Sequence, residues 1–152
     1  CHSYGLAVLA LIEAQQRGLD ALKAVATALL HDLAESVTGD MTPEMKTAKG
    51  REVAEKEEQE TLKQLLEDLP ETQRLWLEKL VEEYYEQSTP EARLVRQLDR
   101  IEMALQAQQY FEKRKIKERE VASEFIRASF NEIEDPKLKE FLTKMMISVD
   151  KR

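Results

Sequence analysis

Gly and Pro occur only four times each in 152 residues, and that scarcity limits the possible folds more than any other feature. Between these breakers run long stretches rich in Leu, Ala, Glu, Lys and Gln, which enter a helix at little conformational cost. No segment alternates apolar and polar residues as a half-buried strand does, and no internal repeat or low-complexity linker interrupts the pattern. The expectation is one all-α domain spanning 1–152, a bundle of about six or seven helices.

Capping chemistry divides the chain into those helices. Tyr4, Leu6, Val8, Leu9, Leu11 and Ile12 predict a mostly buried first helix, broken at "QRGLD". Asp20 has the character of an N-cap for "ALKAVATALLHDLAE", apolar on most sides and therefore central. A polar turn, "SVTGDMTPEMK", follows, in which Thr42-Pro43-Glu44 reads as cap, N1 and N2 of a short new helix. An exposed helix is expected from Arg51 to Glu67, another after Pro70, and a long amphipathic one after Thr89 as cap and Pro90 at N1. "EREVASEFIRASFNEI" reads as a further helix, and Asp135-Pro136 caps the last.

The formal net charge of −7 comes with no basic stripe, which argues against a nucleic-acid partner. Such a chain can still bind a small anion, through a metal or a helix N-terminus. Cys1 is the single cysteine, so no internal disulfide forms and a reducing cytoplasm is the expected setting. No apolar run reaches membrane-spanning length. The chain opens "CHSYGLAVLALIEA", without Met and already inside a helical pattern, so upstream residues are expected.

The chemistry concentrates in "LLHDLAESVTGD" (residues 29–40), where an apolar helix end carries His31, Asp32, Glu35 and Asp40. The other histidine, His2, opens the first helix. Asp99 lies in the long helix among Leu94, Val95, Leu98, Ile101 and Leu105, where an unpaired carboxylate is costly. Two imidazoles and two carboxylates suit a borderline divalent transition metal and leave coordination positions for water and substrate. Spacing alone equally allows a hydrogen-bonded core histidine and an Asp99 paired with Arg96 or Arg100.

A resemblance bears on this choice. His2, then "HDLAE", "GD" and "QLDR", follow the order of the HD-domain metal-dependent phosphohydrolases. "HSYGLAVLAL", "ALLHDLAESVTGDMTP", "KEEQE" and "LVRQLDRIEMALQAQQY" are similar to the 5′-deoxynucleotidase branch, from His2 to about Tyr110. The resemblance implies a single HD-domain bundle with His2, His31, Asp32 and Asp99 as metal ligands. It implies Glu35 as the carboxylate near the nucleophilic water and Asp40 as a second acidic residue near the substrate. The implied reaction converts deoxyribonucleoside 5′-monophosphates to deoxynucleoside and phosphate, commonly in homodimers. In that branch, the residues that grip phosphate and screen the sugar 2′ position precede the first metal-binding histidine, upstream of residue 1.

The residues agree with that chemistry. Phosphomonoester hydrolysis needs an activated water and neutralised phosphoryl oxygens, and one dication supplies both. Glu35 is four positions after His31, placed to handle a proton without being a ligand. Thr42 and Lys46 could reach phosphate at a helix N-terminus, although a solvent-facing Lys46 is the blander reading. "EKEEQE" ordinarily makes a solvated helix face. Some relatives use acidic residues there for a second, Mg²⁺-like ion, with Glu58 the corresponding candidate.

The donor set accommodates Mn, Co, Ni, Fe or Zn, without selecting among them. Trp76, Tyr84, Tyr85, Tyr110 and Phe111 fall at core-like spacing and read as packing or as a dimer face. The partners expected are a small-molecule nucleotide and a second copy of the chain, with no nucleic acid and no membrane. The competing readings are an HD phosphohydrolase for another phosphate ester and a non-catalytic, metal-binding helical dimer module.

Overall fold

The computed structural model describes residues 2–39, 50–112 and 126–150. Seven helices are defined among them: α1 (His2–Arg17), α2 (Ala21–Leu30), α3 (Glu35–Thr38), α4 (Arg51–Leu65), α5 (Glu71–Glu86), α6 (Pro90–Glu112) and α7 (Pro136–Asp150). Residues 126–132 are helical as well, and no strand occurs among the described residues. The expected all-α domain is what forms. Asp40, Thr42 and Lys46, with the expected short helix after Thr42, lie outside the described residues.

The caps behave as their chemistry requires. Asp20 Oδ1 accepts the Lys23 N–H at 3.0 Å and starts α2. Thr89 Oγ1 accepts the Ala92 N–H at 3.3 Å, and Asp135 Oδ1 takes those of Lys137 and Leu138 at 2.9 and 3.1 Å. Each bond satisfies a helix N–H that has no carbonyl partner within its own helix.

The main core forms where α1, α2 and α6 meet, and small residues make that meeting close. Leu6, Ala7, Ala10 and Ala14 of α1 face Ala24 and Ala28 of α2, with Val95, Leu98 and Ile101 of α6 beneath. Ile126, Ile133, Leu138 and Leu142 close the far side. Fully burying one side chain such as Leu98 or Ile101 contributes about 1.5–3 kcal/mol. The inward face of α1 differs from expectation. Tyr4, Val8, Leu11 and Ile12 are 73%, 40%, 42% and 46% exposed, because α1 seats its alanines against two helices and turns its larger residues outward. α2 is likewise buried on one face only, through Ala24, Thr27 and Ala28, with Leu22 and Leu29 exposed. α4, expected to be exposed, buries Ala54, Glu58 and Leu62 in a stripe of four-residue spacing.

A smaller cluster joins Ala34, Leu62, Leu66 and Val81, with Leu30, Leu33, Leu77 and Tyr85 packed on it. Ala28 belongs to the main core and Leu30 to this second one, so His31 lies at the seam between them. Polar ties join the helices as well. Lys23 Nζ meets Glu83 at 2.7 Å, Glu91 Oε1 accepts the Asp20 N–H at 3.2 Å, and Arg17 reaches from α1 to Asp135.

Candidate metal centre

α2 ends as an α-helix at Leu30, and the chain tightens immediately afterwards. The His31 N–H still bonds Thr27 at 3.0 Å, but those of Leu33 and Glu35 reach back only three residues, to Leu30 and Asp32. Glu35 therefore opens the single turn α3 rather than continuing the helix of His31, which corrects the expected unbroken helix through Glu35. His31 and Asp32 are held at the entrance to this turn, with Asp32 Oδ2 3.0 Å from His31 Nε2.

His2, at the start of α1, and Asp99, midway along α6, come to the same place because α1 packs along α6. His2 Nε2 is 3.1 Å from Asp99 Oδ1 and 3.6 Å from Asp32 Oδ2, and His31 Nε2 is 3.8 Å from Asp99 Oδ1. Ligand atoms of His2, His31 and Asp99 all lie within 4.8 Å of one another, and the two imidazole centroids are 5.4 Å apart. His2, His31 and Asp99, separated by up to 97 positions, thus form one group, and Asp32 stands outside that group but beside both imidazoles. The alternative pairing of Asp99 with Arg100 is not what forms, because Arg100 instead meets Glu132 at 2.7 Å.

Both rings are held by their other nitrogen. His31 Nδ1 donates to the carbonyl of Ala28 at 2.9 Å, one turn back in its own helix. His2 Nδ1 lies against Glu102 Oε2. An N–H at Nδ1 leaves the Nε2 lone pair facing the carboxylates, the tautomer a metal ligand needs. His31 Nε2 is buried, with Asp32 Oδ2 3.0 Å and Asp99 Oδ1 3.8 Å away. A buried ring nitrogen between oxygens of two carboxylates fits a cation there. The donor chemistry, two neutral nitrogens and two carboxylates, fits a divalent transition metal.

The metal-free electrostatics point the same way. The Asp99 hydrogen bond, opposed by burial and aided by Glu102, raises His2 from 6.5 to about 9. Burial alone would lower His31, but Asp32, then the Asp99 charge and the Ala28 bond, together outweigh it and the net shift is upward. Tyr84 packs edge-on against His31 at 5.5 Å and stays protonated, raised first by burial and then by the Asp99 charge. Side-chain exposure grades from 2% at His31 through 12% at Asp99 to 37% at Asp32, so the cluster opens toward solvent beside Asp32.

Glu35 follows Asp32 by one turn and is half-buried, with its charge felt at Tyr85. Glu58 is not among the clustered residues. It is buried, and Tyr85 donates its hydroxyl to Glu58 Oε2 at 2.7 Å. Two participants escaped the sequence reading. Tyr84 had been assigned to general packing, and Glu102 carried only a faint signal, its position one helical turn after Asp99 on an otherwise apolar face.

The comparisons with known proteins agree with this geometry. The family model described as "HD domain" matches residues 1–141. The 5′-deoxynucleotidase HDDC2 of Mus musculus is 41% identical over 109 residues, covering 72% of this chain and 53% of the relative. The 5′-deoxynucleotidase hdd1 of Schizosaccharomyces pombe is 31% identical over 113 residues, covering 72% of this chain and 56% of its own length. The chain thus spans about half the length of these curated relatives. A solved structure of a conserved hypothetical protein from Pyrococcus furiosus superimposes with a TM-score of 0.70 at 27% identity, covering 99% of this chain and 81% of the other.

Proposed function

This chain belongs to the HD-domain family, and from that premise we propose that it removes the 5′-phosphate from deoxyribonucleoside 5′-monophosphates. The observation that carries the proposal is the pair of imidazoles whose Nδ1 atoms are tied back and whose Nε2 atoms converge with Asp32 and Asp99. Its support in sequence is the likeness to relatives named 5′-deoxynucleotidase.

In this reading His2, His31, Asp32 and Asp99 hold the divalent ion that the family implies. Such an ion supplies Lewis acidity toward a water and a phosphoryl oxygen. The remaining work falls to the chain. His31, fixed by its own helix and packed on Tyr84, keeps a donor atom still at the buried end. Asp32, at the open end, faces the entering phosphate and water. Glu35, one turn further, takes a proton from the attacking water and returns one to the departing 5′-oxygen. The water oxygen bonds to phosphorus as the P–O5′ bond breaks, giving deoxynucleoside and inorganic phosphate. Asp40 is assigned a role toward the substrate by the resemblance, and Thr42 and Lys46 are the candidate phosphate contacts; all three lie outside the described residues. Glu58, buried against Tyr85, is assigned to a second, Mg²⁺-like ion, on the resemblance of "KEEQE" alone.

The same reading gives a two-fold homodimer in the reducing cytoplasm. Exposed Leu75 and Trp76 on α5 support the first, and a single cysteine supports the second. No helix among the described residues is long and apolar enough to cross a membrane.

The test is phosphate release across a panel of deoxynucleoside and ribonucleoside monophosphates, cyclic nucleotides and guanosine polyphosphates, each with Mn²⁺, Co²⁺, Ni²⁺, Zn²⁺ or Mg²⁺. Metal-dependent release from deoxynucleoside monophosphates supports the proposal. Release confined to another ester, or metal binding without turnover, contradicts it.

A further inference from the structure

Glu102, which the proposed reaction does not use, stands directly behind His2. It lies on α6 one turn beyond Asp99 and is 7% exposed. Its Oε2 meets His2 Nδ1, and its Oε1 accepts the Gln106 side-chain N–H at 2.8 Å. The carboxyl group is lodged under α1 at Gly5. A Cβ added there would stand 2.7 Å from Glu102 Oε1 and 3.4 Å from its Cδ and Cγ. His2 and Gly5, three apart on α1, therefore interlock with Asp99 and Glu102, three apart on α6. His2 and Asp99 supply two donor groups, and Glu102 and Gly5 supply a carboxylate and the space for it.

The two histidines differ in their need for such a partner. His31 is 2% exposed at its side chain, and its Nδ1 is fixed by a carbonyl of its own helix. The His2 side chain is 25% exposed, and its Nδ1 is met by a carboxylate from a different helix, that of Glu102. Without Glu102 the ring could rotate and turn Nε2 away from Asp99. We propose that Glu102 is a positioning residue of the metal centre, fixing the tautomer and orientation of His2, and that Gly5 is required to make room for it. The inference rests on the metal-centre reading above and goes beyond it. Gly5 is far from any ligand atom in role, yet its replacement should be felt by the ion.

The experiment compares wild type with Glu102→Leu, Glu102→Gln and Gly5→Ala, titrating each metal-free protein with Mn²⁺ and recording long-range ¹⁵N–¹H imidazole spectra of each zinc-loaded form. Glu102→Leu should weaken Mn²⁺ binding by about 10–100-fold. Glu102→Gln should recover part of the loss, because its amide oxygen still accepts the Nδ1–H bond. Gly5→Ala should weaken binding within the same range, although alanine is the better helix former, because its Cβ displaces the Glu102 carboxyl group. The His2 spectrum should show Nδ1–H in wild type and lose that single tautomer in Glu102→Leu. If Glu102→Leu does not fold, Glu102→Gln and Gly5→Ala carry the test. Mn²⁺ affinities within about twofold of wild type in the variants, with the Nδ1–H tautomer kept, overturn the role of Glu102 and leave the metal centre standing. Failure of wild type itself to bind Mn²⁺ or zinc overturns the metal-centre reading and this inference with it.

Discussion

Asp99→Asn separates what the carboxylate does in the metal-free protein from what it does toward a metal. Asn keeps the shape and removes the charge from a group 3.1 Å from His2 Nε2. In the metal-free protein His2 is raised from 6.5 to about 9, with the Asp99 hydrogen bond as the largest cause. A folded value above the unfolded one means that this contribution is whole below about pH 6.5 and gone once the pH has risen past about 9. At about 1.4 kcal/mol per pH unit, the full shift corresponds to roughly 3 kcal/mol. Glu102 retains part of it and a quarter-exposed ring is screened, so the loss at pH 7 should be about 1–2 kcal/mol.

At pH 10 the imidazole is neutral in either protein. Asp99 and Glu102 then face an uncharged His2, and removing the charge of Asp99 should cost nothing or stabilise. Urea unfolding in EDTA at the two pH values reads both numbers. Towards metal the same substitution removes one of four donors. A quarter of the ~10–16 kcal/mol typical of four-ligand zinc sites is about 2.5–4 kcal/mol, a loss of roughly 10²–10³ in affinity. An equal stability difference at pH 7 and pH 10, or Mn²⁺ affinity unchanged by the substitution, would refute the reasoning.

Glu35→Gln should keep the fold and the metal while phosphate release drops by about 10²–10⁴-fold; loss of metal together with activity would make Glu35 a ligand instead. Asp135→Ala removes the cap of α7 and the partner of Arg17, and should cost about 1–2 kcal/mol in denaturant unfolding. Arg17 and then the capping N–H groups hold Asp135 below the usual carboxylate range, so its contribution is whole above about pH 4 and fades as the pH falls through that lowered value. The variant and wild type should therefore converge in acid. Light scattering at micromolar concentration should give twice the chain mass, and Trp76→Glu should halve it; a wild-type monomer would remove the dimer from the account.

The helices and their starts were legible because they depend on local chemistry. Asp20, Thr89 and Asp135 act within three residues of themselves, and such signals survive in any tertiary setting. The inward face of α1 was not legible. Hydropathy favours burying Tyr4, Val8, Leu11 and Ile12, and only the packing of α1 against both α2 and α6 makes the alanine face the buried one. That His2, His31 and Asp99 come together was foreshadowed by the chain having only two histidines, while their role as ligands, with Asp32, came from the family resemblance rather than from spacing. Glu102 was hidden for the opposite reason. Carboxylates are abundant in this chain, and what distinguishes this one is a contact across 100 positions together with the gap left by Gly5. The break after Leu30 was missed because "LLHDLAE" has no Gly or Pro, so the tightening has no local composition signal.

The most direct measurement is anomalous diffraction from crystals of this chain grown with Mn²⁺ or Co²⁺. The account predicts one strong anomalous peak within about 2.0–2.4 Å of His2 Nε2, His31 Nε2, and carboxylate oxygens of Asp32 and Asp99 together. No peak there at saturating metal, or a peak bound by other residues while His2 and Asp99 remain paired to each other, would contradict it.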